Sequence, residues 1–174
     1  MLTGDELLRR AIVHLAARGE HVQPNGIDLS LDAVWRFSEP GVLGRRDAQR
    51  RLPQRDELSP DPDGWFDLEP ATYGIRYLES VEMPTDCGGL CFPRSSLLRM
   101  GVTVPTAVWD AGYAGRGEAL LVVTNPHGAR VQRGARIAQL VVFRLTQATR
   151  GYRGQYLNEN RQAVDPLDDA TTNR

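Results

Sequence analysis

CFPRSSLLRMGVTVPTAVWDAGYAGR, residues 91 to 116, holds short apolar segments apart with turn formers and carries the most chemically suggestive side chains of the protein. Pro93-Arg94-Ser95-Ser96 sets an arginine and two hydroxyls between hydrophobic neighbours. About one strand later a lone acid opens a glycine-rich turn, Asp110-Ala111-Gly112-Tyr113-Ala114-Gly115. The first segment is equipped to hold phosphate oxygens, because a guanidinium offers a planar fork of donors. The second can bring a carboxylate and a ring beside them. Together they point to chemistry on a phosphorylated small molecule.

Outward from this stretch the pattern stays β-like. Ile27 to Trp35 alternates with a period of two, which predicts a strand with one wet face. Ile75 to Met83 and Gly88 to Phe92 read as strands, and Ala119 to Thr124 and Ile137 to Leu145 as the most apolar ones. Asn125-Pro126-His127-Gly128 reads as a turn between these last two. Phe37 to Pro62 is rich in Pro, Arg, Asp and Glu, an excursion longer than an ordinary connection, after which Trp65, Phe66 and Leu68 return to the core. One helix is predicted, at the N-terminus. Thr3 and Glu6 fit a capping box, Leu7, Leu8, Ala11, Ile12 and Leu15 form its apolar stripe, and Gly19 is its stop. Short strands, many turns and one helix predict a mainly β domain, either a sandwich or a barrel. No β-α-β alternation, G-x-G-x-x-G or Walker A sequence is present, which sets aside a doubly wound sheet and those phosphate cradles. Residues 1–157 are expected to form a single domain, with Tyr152 to Tyr156 as a lid, followed by a polar tail over 158–174.

The bulk numbers exclude more than they assign. With 174 residues the chain can bury one sizeable core. Its 21 basic and 22 acidic side chains leave a net charge of -1, so no nucleic-acid partner is expected. No apolar run reaches the length of a membrane span, so no membrane partner is expected, and the first residues lack a signal-like core. A reducing cytoplasm is the expected compartment. Cys87 and Cys91 are too few for a disulfide scaffold, and C-x3-C with three scattered histidines is a weak metal signal.

Each candidate site residue has a bland reading beside the functional one. Arg94, Ser95 and Ser96 either hold phosphate, with backbone N–H groups aimed at an anion if a helix starts there, or simply begin a Ser-capped helix. Asp110 either orients and deprotonates a water or caps its own turn. Tyr113 walls off a sugar or base, or packs. Gly112 and Gly115 permit close backbone approach to a ligand. Glu118, the nearest other acid, is a second base or a surface residue. Asp28, in a polar cluster with Gln23 and Asn25, is placed to hold a Mg2+-bound water next to phosphates, or is a hydrated surface acid. Gln139 follows Arg136 inside an apolar strand, where burying it unpaired would cost ~1–3 kcal/mol.

At these residues the chain resembles the deoxyuridine triphosphatase and deoxycytidine triphosphate deaminase superfamily. Gln23 to Leu29 is similar to its first motif, Pro93 to Leu97 to its phosphate motif, Asp110 to Gly115 to its uracil and sugar hairpin, and Gly134 to Leu140 to the motif after that. The resemblance implies a distorted β-barrel or jelly roll carrying the N-terminal helix, assembled as a homotrimer with sites built between subunits. The long spacing before Trp65 and the N-terminal helix resemble the deaminase branch. Deaminases of the family carry a glutamate in the strand after the hairpin, and counting back from Asn125 puts Val122 there. A valine cannot shuttle protons, so the resemblance implies a dUTP diphosphatase. Asp110 would activate water against the α-phosphorus. Arg94, Ser95, Ser96 and Gln139 would meet phosphoryl oxygens. Mg2+ would bridge the phosphates, its waters held by Asp28. Tyr113 would exclude a 2'-hydroxyl, and uracil would be read by backbone groups near Val108. Tyr152, Arg153 and Gln155 would close over the phosphates. A dCTP deaminase or bifunctional enzyme, with Glu118 rescued by another strand register, is the alternative, and a non-catalytic nucleotide-binding trimer is the second.

Overall fold

The computed structural model describes residues 1–14 and 19–161. In chain order the elements are α1 (Gly4–Arg9), β1 (Val13–His14), β2 (Val22–Gln23), β3 (Gly26–Phe37), β4 (Arg55–Glu57), β5 (Trp65–Leu68), β6 (Thr72–Tyr77), β7 (Ser80–Glu82), β8 (Cys87–Pro93), α2 (Ser95–Arg99), β9 (Val102–Thr103), β10 (Ala114–Gly115), β11 (Glu118–Val123), β12 (Ala129–Gln132) and β13 (Arg136–Arg144). The main sheet runs β8-β13-β3-β6-β11-β9, with β2 and β4 paired to β3. Two small sheets, β1-β7-β10 and β12-β5, complete a mainly β, distorted barrel with an N-terminal helix, as predicted. Aliphatic and aromatic side chains fill its interior, among them Ile27, Leu29, Leu31, Tyr73, Ile75, Tyr77, Leu121, Ile137 and Leu140.

The helix begins where the sequence places it: the Thr3 hydroxyl accepts from the Glu6 amide at 3.3 Å. It ends sooner. Ala11 adopts a left-handed backbone with φ 52°, and the β-branched Val13 is buried as strand β1 against Val81. Tertiary pairing outcompetes the apolar stripe, and Leu15 lies outside the described residues. The stretch read as one strand over 75–83 is two. It breaks at Glu79, whose buried carboxylate accepts from the Ser30 amide at 2.7 Å and faces His21 at 3.5 Å. In the 125–128 turn the Asn125 side chain accepts from the His127 amide, and the Gly128 amide closes on the Asn125 carbonyl. That turn leads into β12, a strand the sequence reading did not include, before β13 begins.

The expectation of a wet face on the 27–35 strand is overturned. Asp28, Ser30 and Asp32 are all buried. They alternate with Ile27, Leu29 and Leu31 as a strand requires, but arginines cover their face. Asp32 receives hydrogen bonds from Arg76 Nε at 2.8 Å and from Arg133 at 2.7 and 3.1 Å, and pairs with the buried Arg116. Burial pushes this carboxyl up, but the bonds from Arg133 and Arg76 and the charge of Arg116 outweigh it, and the net displacement is downward. Period two was a correct reading of geometry. It could not tell a polar face exposed to water from one paired inside the protein.

Candidate active site

Two indoles make the floor of the main cleft. Trp35 lies over Gly74, where a Cβ would stand 2.1 Å from the indole nitrogen, and Trp109 lies over Gly117, where a Cβ would meet the ring at 2.5 Å. Side chains at those glycines would lift both rings. The cleft has a volume of about 510 Å³, and Tyr77, Val108, Asp110, Tyr113, Tyr152 and Tyr156 also line it. An aromatic, largely apolar hollow of this size with a few polar groups suits a nucleoside.

Asp110 is an exposed residue on the cleft wall. Its carbonyl, not its carboxylate, takes the turn bond from the Tyr113 amide at 3.1 Å. Among the described residues nothing donates to the carboxylate, so the turn-capping explanation does not hold and the group is available to a ligand or water. The Trp109 amide and carbonyl pair with Gly89, both at 2.9 Å. The adjoining Val108 is 59% exposed and, among the described residues, its N–H and C=O form no hydrogen bond. Free backbone groups at that point can read the edge of a base. Tyr113 is buried against Trp109, ring to edge at 5.3 Å.

Arg94, Ser95, Ser96, Gln139 and Asp28 do not line this cleft. They form a second group at the β8-β13-β3 edge, where Gln139 stands opposite Asp28 on one side and Phe92 on the other. Ser95 and Ser96 are exposed at the first positions of α2, whose N-cap is Arg94, and no side chain caps it. The Ser-cap explanation is therefore not what is found. Gln139 is half-buried and so escapes the cost of full burial without a partner. Asp28 is 1% exposed, with Oδ2 3.1 Å from Arg94 Nε and 3.6 Å from Arg136 Nη1. Neither contact is a well-aligned hydrogen bond. Burial raises this carboxyl above its ordinary range, against the charges of Arg94, Arg136 and His21. An acid buried behind two guanidiniums does not fit a role as a metal holder in this subunit. Among the described residues no group of three or more His, Cys, Asp or Glu is arranged to hold a metal ion. Cys87 and Cys91 are buried free thiols, and burial pushes Cys91 up to about 12, leaving it inert.

The C-terminal segment lies along the hairpin. The Tyr152 amide donates to the Ala111 carbonyl at 2.7 Å, and the Asn158 amide to the Ala114 carbonyl at 2.7 Å. Tyr152 faces Tyr113 at 6.1 Å. Arg153 and Gln155 are exposed and do not line the cleft, and Gln155 accepts from Arg50 of the 37–62 excursion at 2.7 Å. Residues 158–161, read from sequence as the start of a tail, dock as well: Asn160 donates to the Arg116 carbonyl at 3.0 Å, and Arg161 pairs with Glu82 at 2.6 Å. Residues 162–174 lie outside the described residues.

The family profile described as dCTP deaminase-like matches residues 1–145. The chain belongs to the dUTPase and dCTP deaminase superfamily. A protein of Aeropyrum pernix named probable deoxyuridine 5'-triphosphate nucleotidohydrolase is 43% identical over 159 residues, 91% of this chain and 98% of that one. A Methanococcoides burtonii protein of the same name is 41% identical over 140 residues, 80% of this chain and 82% of that one. Among solved structures, a 2'-deoxycytidine 5'-triphosphate deaminase from Agrobacterium tumefaciens superposes with a TM-score of 0.62 at 22% identity, covering 81% of this chain and 45% of that one, a likeness of fold.

Within this superfamily fold, several cleft residues escaped the sequence reading. Arg55 comes from the excursion, stacks over Trp35 at 4.5 Å and pairs with Glu118 at 2.8 Å. Nothing in its charged surroundings marked it. Trp35 and Tyr77 fall in stretches read as strands and are buried in the core beneath the cleft. Glu118 does line the cleft, but Arg55 and Asn160 already engage it. Tyr156, at the end of the segment expected as a lid, lines the cleft too, and Glu159 was passed over because a polar stretch near the end of a chain carries no periodicity. No helix among the described residues is long and apolar enough to cross a membrane.

Proposed function

We propose that the protein hydrolyses dUTP to dUMP and pyrophosphate. The observation that carries the reading is the free carboxylate of Asp110 on the wall of a nucleoside-sized aromatic cleft, while Val122 takes the place of the deaminase glutamate and does not line that cleft. Full-length relatives named as deoxyuridine triphosphate nucleotidohydrolases support the same reaction.

The base lies on the floor made by Trp35 and Trp109 with its edge toward the free backbone at Val108, and Tyr113 closes the sugar side. Asp110 accepts a proton from water as the water oxygen bonds to the α-phosphorus. The bond from that phosphorus to the bridging oxygen breaks, and pyrophosphate leaves with the electron pair. Arg94, Ser95, Ser96 and Gln139 bind phosphoryl oxygens. Asp28 orients Arg94 and Arg136, and Mg2+ would come with the substrate as the counter-ion of its triphosphate. Because the Arg94 group stands outside the cleft, the reading includes a homotrimer in which one subunit's phosphate group completes a neighbour's Asp110 cleft. Tyr152 closes the cleft, and Arg153 and Gln155 turn inward when phosphate is bound. The deoxynucleotide substrate supports a cytoplasmic enzyme of nucleotide metabolism.

Chromatography of products from dUTP with Mg2+, run beside ammonia release from dCTP, tests the assignment. Formation of dUMP and pyrophosphate without ammonia is expected. Ammonia from dCTP at a rate comparable with dUTP cleavage would transfer the chemistry to Glu118 and refute the reading.

A further inference from the structure

Tyr113 is held on three sides. Trp109 meets its ring edge-on at 5.3 Å, Tyr152 approaches at 6.1 Å, and its hydroxyl donates to Glu159 Oε1 at 2.8 Å. The third contact comes from the C-terminal segment, which is itself tied down around Glu159. The Glu159 carbonyl accepts from the Arg116 amide at 3.1 Å, residue 159 bridges to Gly115, and the Asn160 side chain donates to Glu118 at 3.1 Å. Gly112 and Gly115 make this docking possible. A Cβ on Gly112 would stand 2.7 Å from the Gly151 Cα, and one on Gly115 would stand 2.9 Å from both the Glu159 carbonyl and the Tyr113 hydroxyl. The hairpin glycines therefore admit the protein's own C-terminal segment, a use the sequence reading had reserved for a ligand. Burial raises both the Tyr113 hydroxyl and the Glu159 carboxyl above their ordinary ranges, which keeps the proton on the tyrosine.

We propose that Glu159 is a positioning residue that fixes the Tyr113 ring as the wall admitting a 2'-deoxyribose and rejecting a ribose. The inference rests on the reading of Tyr113 as the sugar wall. A ring that can swing yields to one extra hydroxyl, and a ring pinned at its tip does not. A rigid apolar wall rejects an added hydroxyl by on the order of 10²-fold, so freeing the tip should forfeit about tenfold of that.

The test compares kcat/KM for dUTP and UTP in the full chain and four variants. Glu159→Ala and Tyr113→Phe should each lower the dUTP-over-UTP ratio about tenfold, and the double variant no further, because both remove one contact. Glu159→Gln, which keeps an acceptor oxygen, should hold the ratio within about twofold. A Glu159→Ala enzyme that loses dUTP and UTP turnover equally, with the ratio unchanged, would show a structural role only and overturn the proposal. If Glu159→Ala does not fold, Tyr113→Phe decides, since it removes a single oxygen. Equilibrium binding of dUMP and UMP supplies the same ratio without turnover. A parent protein that binds dUMP over UMP but cleaves no dUTP would therefore retire the diphosphatase reading and leave the positioning role measured.

Discussion

Asp28 and Asp32 sit four residues apart on one buried face of β3, and replacing each by asparagine should have different consequences. Asp32→Asn keeps the shape but removes the only negative charge that, among the described residues, is bonded to Arg76, Arg116 and Arg133. Removing one partner from a buried ion pair costs about 3–5 kcal/mol. The Arg133 and Arg76 side chains are 47% and 23% exposed and can turn toward water, whereas that of Arg116 is 10% exposed and cannot. The low end, about 3 kcal/mol, is therefore expected, a fall in melting temperature of roughly 6–12 °C for a chain of this size. Asp28→Asn relieves an acid that burial already disfavours, beside arginines that reach solvent, and should change stability by no more than ~1 kcal/mol at neutral pH. The pH dependence separates them further. The folded-state displacement of Asp32 is downward, so its contribution is present above the unfolded carboxyl value of about 4 and is lost as pH falls below it. That of Asp28 is upward, so its ionisation costs the folded state stability as pH rises from about 4 through its raised value. Thermal melts from acid to neutral pH at fixed protein concentration measure both. An Asp32→Asn protein melting within about 2 °C of the parent, or an Asp28→Asn protein melting lower than Asp32→Asn, would refute the argument.

Asp110→Asn should keep the fold and dUTP binding while turnover falls by ~10²–10⁴-fold, the usual cost of losing a general base, as read by pyrophosphate release and calorimetry. Gly112→Ala, at φ 80° and 2.7 Å from Gly151, should undock the C-terminal segment and raise proteolysis there, with limited digestion as the measurement. Arg94→Ala and Asp110→Asn proteins, each inactive, should regain part of their activity when mixed and reassembled, because some interfaces then carry both intact groups. Mass in solution gives the assembly, and an active monomer would rule out shared sites.

The barrel's strands and the Asp110 turn were legible because each depends on neighbours in sequence: alternation or turn formers. The capped start of α1 was legible for the same reason, while its early end was not, since Val13 answers to Val81 across a sheet. The site followed the same division. Asp110, Val108, Tyr113 and Tyr152 were found and do share a cleft. Arg55, Trp35 and Glu159 were not, because they reach it from segments as far apart as β3 and the C-terminal stretch.

What the sequence determined by itself was therefore the set of parts: a mainly β chain, an acid on a glycine turn, an arginine with two serines, and a valine where a proton carrier would stand. Only the tertiary structure decided how those parts are used. It turned the polar face of β3 inward, because arginines distant in sequence supply the countercharge that water would otherwise supply. It set the group around Arg94 apart from the cleft. It also gave the hairpin glycines to the C-terminal segment, because hydrogen bonds and close contacts depend on distances in space, and those are closed by the fold as a whole.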